Sequence, residues 1–101
     1  MRIDFKFRHM SHSDELVNHV NERIDKLERY ELRPVRVEFT FTTEREVCRV
    51  DIHVRGQDIE MHAHSETEDF FSGADIALEK ITRQLARKKA KIKDRKGAKV
   101  S

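Results

Sequence analysis

Four stretches of the chain alternate apolar and polar side chains with a period of two, the signature of strands that bury one face. In the first, Ile3, Phe5 and Phe7 alternate with Arg2, Asp4, Lys6 and Arg8. The second sets Val35, Val37, Phe39 and Phe41 against Arg36, Glu38, Thr40 and Thr42, and follows Pro34, which is acceptable just before a strand and disruptive within a helix. Cys48, Val50, Ile52 and Val54 form a third inward row, and Ile59, Met61 and Ala63 a fourth. Between the last two, Arg55-Gly56-Gln57-Asp58 reads as a tight hairpin turn in which Gly56 supplies the unusual backbone angles.

Two other stretches follow the helical period. Ser13 is the expected N-cap of the first, with Asp14 and Glu15 in its opening turn, where acids suit the positive end of the helix dipole. Leu16, Val20, Ile24 and Leu27 recur every three or four residues, and Tyr30 closes the stripe. The second helix is expected to begin near Glu68 or Asp69 and to carry Phe71, Ala74, Leu78, Ile81 and Leu85 on one side. Past Leu85 only Ala90 and Ile92 continue the apolar stripe. The helix is therefore expected to end in the low 90s and to give way to a disordered tail.

The order β-α-β-β-β-α, with strands apolar on one face only, predicts an α+β fold: a four-stranded mixed sheet with both helices packed on its apolar face and water on the other. The first helix is a crossover, so the first two strands should be parallel neighbours with a right-handed connection. The later strands, joined by short turns, should be antiparallel.

Composition narrows the class. With 101 residues and 12.0 kDa the chain fits one domain, expected over 1–93 with a basic tail at 94–101. Apolar residues make up 37% and charged residues 40%, so the core must come from amphipathic elements, and no run is apolar enough to span a bilayer. The net charge of +2 conceals a segregation. From Lys80 to Lys99 ten basic residues face one acid, Asp94, giving +9; the first 79 residues carry eleven basic and eighteen acidic side chains, giving −7. Such a concentrated field points to an anionic polymer or surface as partner. The one cysteine, Cys48, has no internal disulfide partner, and MRIDFKFRHM lacks the apolar core of a secretory signal, so a cytoplasmic protein is expected.

The basic residues of the second helix are ordered. Lys80, Arg83, Arg87 and Lys91, spaced by three and four, form a ridge opposite the apolar stripe, with Gln84 and Lys88 beside it. At about 1.5 Å per residue the ridge spans roughly 16 Å, enough for several successive phosphates. Arg23, Lys26 and Arg29 of the first helix extend it if the helices lie side by side, which makes the helical layer the binding surface. A basic helix face also serves simply for solvation, but too few acids intersperse these residues to offset their mutual repulsion.

Three outward histidines, His53, His62 and His64, could hold zinc if cross-strand pairing brought His53 to the other two, but such residues are commonly ordinary exposed strand positions and no further ligand is apparent. His9, His12 and His19 lack ligand spacing. Cys48, in an inward row, reads as a small buried hydrophobe rather than a nucleophile. There is no GxSxG, P-loop or GxGxxG, and Glu66, Glu68 and Asp69 are accounted for by their place before a helix. No enzyme, cofactor or metal is expected.

Four segments, in order, carry a family resemblance over nearly the whole chain: the opening strand ending in Arg8-His9; Lys26-Leu27-Glu28-Arg29-Tyr30; Ile52-His53-Val54-Arg55-Gly56; and Glu68-Asp69-Phe70-Phe71 through Ala74-Asp75 to Ile81-Thr82-Arg83-Gln84-Leu85 with the lysines after it. The chain resembles the short-form ribosome hibernation promoting factors, also called ribosome-associated inhibitor or sigma-54 modulation proteins. The resemblance implies the same β-α-β-β-β-α fold and no catalysis. It implies binding to the small ribosomal subunit between head and body, in the channel of messenger and transfer RNA, with translation inhibited in stationary phase or stress. It implies rRNA-binding roles for Lys80, Arg83, Arg87, Lys88 and Lys91, and for Arg23, Lys26 and Arg29. Long-form members continue into a second domain that pairs ribosomes; the resemblance to the short form implies a monomer off the ribosome, for which ribosome dimerisation, where it occurs, requires a separate dimerising factor. Phe71 stands where the family usually has tyrosine, and Gly73 where it has alanine, at a helix-propensity cost of about 1 kcal/mol. The competing readings are a double-stranded RNA-binding module, suggested by the strand-strand-strand-helix order, and a sigma-factor-binding regulator, which the family's older name implies.

Overall fold

The computed structural model describes the backbone of residues 1–28 and 35–100, and side-chain surroundings for 1–25, 27 and 36–88. Its elements, in chain order, are β1 (Arg2–Arg8), α1 (Asp14–Arg23), α2 (Asp25–Glu28), β2 (Val35–Glu44), β3 (Val47–Gly56), β4 (Glu60–Thr67) and α3 (Phe70–Val100). This is the expected β-α-β-β-β-α order, with the first helix divided in two. The sheet runs β1-β2-β3-β4, so β1 and β4 are its edges. β1 is parallel to β2, and the other neighbours are antiparallel.

Period-two alternation becomes layering through register. Phe5 lies opposite Phe39 and Phe7 opposite Phe41, and the rings stack with centroids 5.6 and 5.3 Å apart. Phe39 is paired in turn with Ile52, and Ile52 with Ala63, so one apolar row crosses the whole sheet. Val37, Phe39, Phe41, Val50, Ile52 and Val54 are fully buried on that face, beneath Leu16, Val20, Ala77, Leu78, Ile81 and Leu85 of the helices. Each of these valine, leucine, isoleucine and phenylalanine side chains contributes about 1.5–3 kcal/mol of hydrophobic stabilisation relative to exposure.

The helix starts follow from capping. Ser13 Oγ accepts the Leu16 N–H at 3.2 Å, as expected for the N-cap of α1. Asp69 caps α3: one carboxylate oxygen accepts from the Phe71 N–H at 3.2 Å, the other from the Ser72 N–H at 3.2 Å and the Ser72 hydroxyl at 2.9 Å.

Some expectations are corrected. A single continuous first helix is not formed: α1 ends at Arg23 with Ile24 as its C-cap, and the Leu27 N–H donates to the Ile24 carbonyl at 2.9 Å, an i to i+3 bond that tightens the turn. Ile24 and Leu27 are nevertheless both buried, so the apolar stripe survives the break. Gly56 does not supply a left-handed backbone; no described glycine has positive φ. It is instead held in the ladder, opposite Val35, and its N–H closes the turn on the Ile59 carbonyl at 2.9 Å. The positive φ angles fall at His9 (57°), just after β1, and at Arg45 (55°), in the β2–β3 turn. α3 continues to Val100, past the low 90s where the fading stripe placed its end. Tyr30 and Pro34 lie outside the described residues, as do the side chains of Val35, Ala90 and Ile92.

Gly73 acquires a reason that helix propensity cannot supply. A Cβ there would stand 3.0 Å from Ser65 Oγ, 3.0 Å from Thr67 Oγ1 and 3.2 Å from Val50 Cγ2. Both hydroxyls are pinned: Ser65 donates to the Gly73 carbonyl at 2.7 Å, and Thr67 to the Asp69 carbonyl at 2.6 Å. Glycine thus lets α3 settle onto β4 at its first turn.

Candidate nucleic-acid interface

The orientation of α3 is set by Ala74, Ala77, Leu78, Ile81 and Leu85, which are buried against the sheet. Lys80, Arg83 and Arg87 are accordingly exposed, as their spacing required. The flank of α3 over β4 has a property that helical periodicity alone does not disclose. Lys80 Nζ donates to the His64 carbonyl at 2.9 Å, Gln84 Nε2 donates to the His62 carbonyl at 2.9 Å, and Lys88 Nζ donates to the Asp58 carbonyl. Three side chains spaced by four residues therefore serve outward carbonyls of the β4 edge and of the turn before it, groups that no further strand satisfies.

A backbone carbonyl has no net charge, so it does not offset the positive charge of Lys80 or Lys88. Each ammonium has three donors and spends one on its carbonyl. Arg83 meets Glu79 at 2.7 Å, with both side chains well exposed. Arg87 has no carboxylate partner among the described residues. Lys80, Arg83, Gln84 and Arg87, with His62, Ala63 and His64 of β4, line a shallow groove of about 330 Å³.

Arg23 lies elsewhere. It projects from α1 toward α3, where its Nε is 3.2 Å from Asp75, and its guanidinium also reaches Glu22 at 3.4 Å and donates to the His19 carbonyl at 3.0 Å. His19 contacts the same Asp75 oxygen at 2.8 Å and sets its ring edge-on to Phe71, centroids 5.1 Å apart. α3 thus turns an acid, Asp75, toward α1 and its basic row toward β4. Arg29 and the side chains of Lys26 and Lys91 lie outside the described residues.

The open face of the sheet is also rich in charge, but there the signs interlock. Asp4 meets Arg36 at 3.2 Å and Arg2 at 3.4 Å, and the Arg36 hydrogen bond, aided by both positive charges, holds its carboxyl below the usual range. Lys6 meets Glu38 at 3.3 Å. Arg49 donates to both oxygens of Asp51 at 2.9 and 3.0 Å and to Glu66 at 2.8 Å; the Asp51 hydrogen bond foremost, and then the negative charges of Asp51 and Glu66, raise its pKa further. Asp69, at the start of α3, is likewise held below the usual range, chiefly by the Ser72 hydroxyl and then by the Ser72 and Phe71 N–H groups. Of the outward histidines, His53 is paired directly with His62, whereas His64 lies opposite Asp51. Cys48 is half-buried and faces Thr43 and Thr67 across the strands.

Sequence reasoning grouped Gln84 with the ridge without seeing its role. The i, i+4, i+8 spacing of Lys80, Gln84 and Lys88 is the available signal, but it acquires meaning only once β4 is known to be an edge.

A profile of the family described as Sigma 54 modulation protein / S30EA ribosomal protein matches residues 3–93 of the chain. The ribosome hibernation promoting factor of Azotobacter vinelandii is 30% identical over 93 residues, covering 90% of this chain and 85% of that protein. Among solved structures, the N-terminal domain of Thermus thermophilus Protein Y superposes with a TM-score of 0.78 at 19% identity, covering 86% of this chain and 98% of that one. A ribosomal subunit interface protein from Coxiella burnetii superposes with a TM-score of 0.75 at 22% identity, covering 89% of this chain and 99% of the other. At such identities the two structures speak for the fold.

Proposed function

Because the chain belongs to the Sigma 54 modulation protein / S30EA ribosomal protein family, we propose that this ribosome-associated factor is a hibernation factor that binds the small ribosomal subunit through the basic flank of α3 and silences translation. The observation that carries the reading is the row formed by Lys80, Arg83, Arg87 and Lys88, whose positive charge is largely uncompensated within the described residues. It agrees with the name of the Azotobacter relative.

The mechanism is occupancy. A helix flank that offers ammonium and guanidinium groups along about 12 Å, from Lys80 to Lys88, engages successive phosphates of structured RNA by charge and shape. Such contacts fix position and carry no base sequence of their own. Lys80 and Lys88 are tethered by carbonyls, so they lose less side-chain freedom on binding than free lysines do. Seated in the channel of messenger and transfer RNA, the domain excludes both without chemistry; its role is binding, in the cytoplasm, during stationary phase or stress. Arg23 contributes if rRNA phosphate displaces Asp75.

Sedimentation of stationary-phase extract tests the reading. The protein should travel with the small subunit at low salt and leave it as salt rises. Recovery at the top of the gradient at low salt defeats the proposal, and equal affinity for a plain RNA duplex and for intact subunits favours a general double-stranded RNA binder instead.

A further inference from the structure

On the open face of the sheet, away from the core, three potential ligands converge. His53 and His62 are direct cross-strand partners on β3 and β4, and Glu60, two residues before His62, projects from the same face. Glu60 Oε1 lies 3.1 Å from His53 Nε2 and 3.7 Å from His62 Nε2, and the three ligand atoms fall within 4.8 Å of one another. The two imidazoles stack with centroids 3.8 Å apart. We propose that His53, Glu60 and His62 form a binding site for one divalent transition-metal ion of the zinc type, with a fourth position left to water or an outside ligand.

The distances support the assignment. Ligands about 2.0–2.1 Å from a tetrahedral zinc ion stand about 3.3 Å from each other, between the two separations measured to Glu60. Two imidazoles and a carboxylate are a donor set suited to zinc, and unlike an all-oxygen set they disfavour calcium and magnesium. His53, with its side chain 16% exposed, is the fixed ligand; Glu60 and His62, each 66% exposed, have the freedom to close on the ion, His62 by turning out of its near-parallel stack so that its lone pair points at the same ion.

Two contacts compete for the same nitrogen of His53. Its Nε2 lies 3.1 Å from Glu60 Oε1, yet the same nitrogen receives the Arg55 Nε–H at 3.2 Å. One ring nitrogen cannot donate to the carboxylate while accepting from Arg55. With Arg55 donating, the one Nε2 lone pair is spent on its N–H and Glu60 Oε1 receives no proton from the ring; once the exposed Arg55 side chain swings into solvent, a metal ion accepts lone pairs from both atoms. Glu60 is the ligand that sequence reading missed. Its signal was the Glu-x-His spacing on one strand face, but only the β3–β4 register sets His53 beside that pair in place of His64.

The test is titration of the full chain with Co²⁺ alone in a chelator-free buffer, followed by visible absorption, with Zn²⁺ used to displace it. The expected result is one ion per chain at micromolar concentrations, tetrahedral d–d bands, and no thiolate-to-cobalt charge-transfer band. Zn²⁺ should also raise the melting temperature, since the paired strands exist only in the folded state. His62→Ala and Glu60→Gln, both at exposed positions the fold tolerates, should each weaken binding at least tenfold, while His64→Ala should leave it within twofold. Absence of saturable binding at micromolar Co²⁺, equal loss in His64→Ala, or a thiolate band implicating Cys48 overturns the site. Ribosome association does not enter these readouts, so the outcome is independent of the proposed function.

Discussion

On the open face of the sheet Arg2 and Arg36 share Asp4, Lys6 meets Glu38, and Arg49 is held by Asp51 and Glu66. Along the β4 flank of α3, Lys80 and Lys88 turn instead to backbone carbonyls, and the nearest acid-base pair is Glu79 with Arg83. Both surfaces are crowded with charged side chains, and they differ in where the opposite charges sit. Cross-strand register brings unlike charges within 4 Å on the sheet, where their fields cancel at short range. Helical spacing sends Asp75 toward α1 and the basic row toward β4, where positive charge accumulates. Counting charges along the chain therefore says less about a binding surface than finding which of them have been neutralised by neighbours.

Charge reversal offers the strongest way to break this contrast. The double change Arg83→Glu and Arg87→Glu should lower affinity for the small subunit at least about 100-fold, because two phosphate contacts become repulsive. It spares Lys80 and Lys88, which also serve the edge of the sheet, so the circular dichroism spectrum should not change. Arg36→Glu, the same reversal on the open face, should alter affinity by no more than about twofold. Equal losses from the two surfaces would remove the assignment of the binding face. For about four phosphate contacts, a fourfold rise in salt should weaken the wild type by about two decades and the double variant much less.

Stability separates the faces on a smaller scale. Gly73→Ala would gain about 1 kcal/mol if helix propensity alone mattered. Because the added Cβ meets Ser65 and Thr67 at 3.0 Å, the expected result is a net loss of about 1 kcal/mol in denaturant unfolding. A gain would mean that α3 can lift from β4 at little cost, which would also loosen the row of donors over that edge. On the open face, Arg49→Ala should cost at most about 1 kcal/mol, as partly exposed ion pairs do, and leave ribosome binding unchanged.

The smallest effect is acid sensitivity. Asp4 and Asp69 have pKa values below the ordinary carboxylate range in the folded protein, so the unfolded chain takes up their protons more readily. Their stabilisation is complete above that range and is lost as pH falls through it, from about pH 5 downward. Asp4→Asn should flatten the pH dependence of the unfolding midpoint in that window and leave the value at neutral pH slightly reduced. An unchanged slope would mean that the Arg36 pair is not maintained in solution.

Much of this architecture is legible in the chain because it depends on near neighbours. Alternation in Phe39, Phe41, Val50 and Ile52 dictates which side of each strand is buried, whatever the pairing. Ser13 caps α1 through a bond spanning three residues, and the spacing of Lys80, Arg83 and Arg87 puts them on one side of any helix that buries Leu78, Ile81 and Leu85. The hairpin turn after Gly56 is legible, but its backbone angles are not, because strand pairing with Val35, a distant residue, sets them; the break at Ile24 carries no glycine or proline to announce it.

What the sequence determined by itself was the set of elements, the buried face of each, and the concentration of positive charge on α3, all consequences of periodicity and composition. The tertiary structure alone decided which strand became an edge and therefore why Lys80, Gln84 and Lys88 lean over it. It also decided that Arg23 spends its charge on Asp75, that Gly73 admits a close contact, and that His53 meets His62 and Glu60. Each of these depends on register or on the approach of two elements, and such through-space distances are fixed only when the whole core closes.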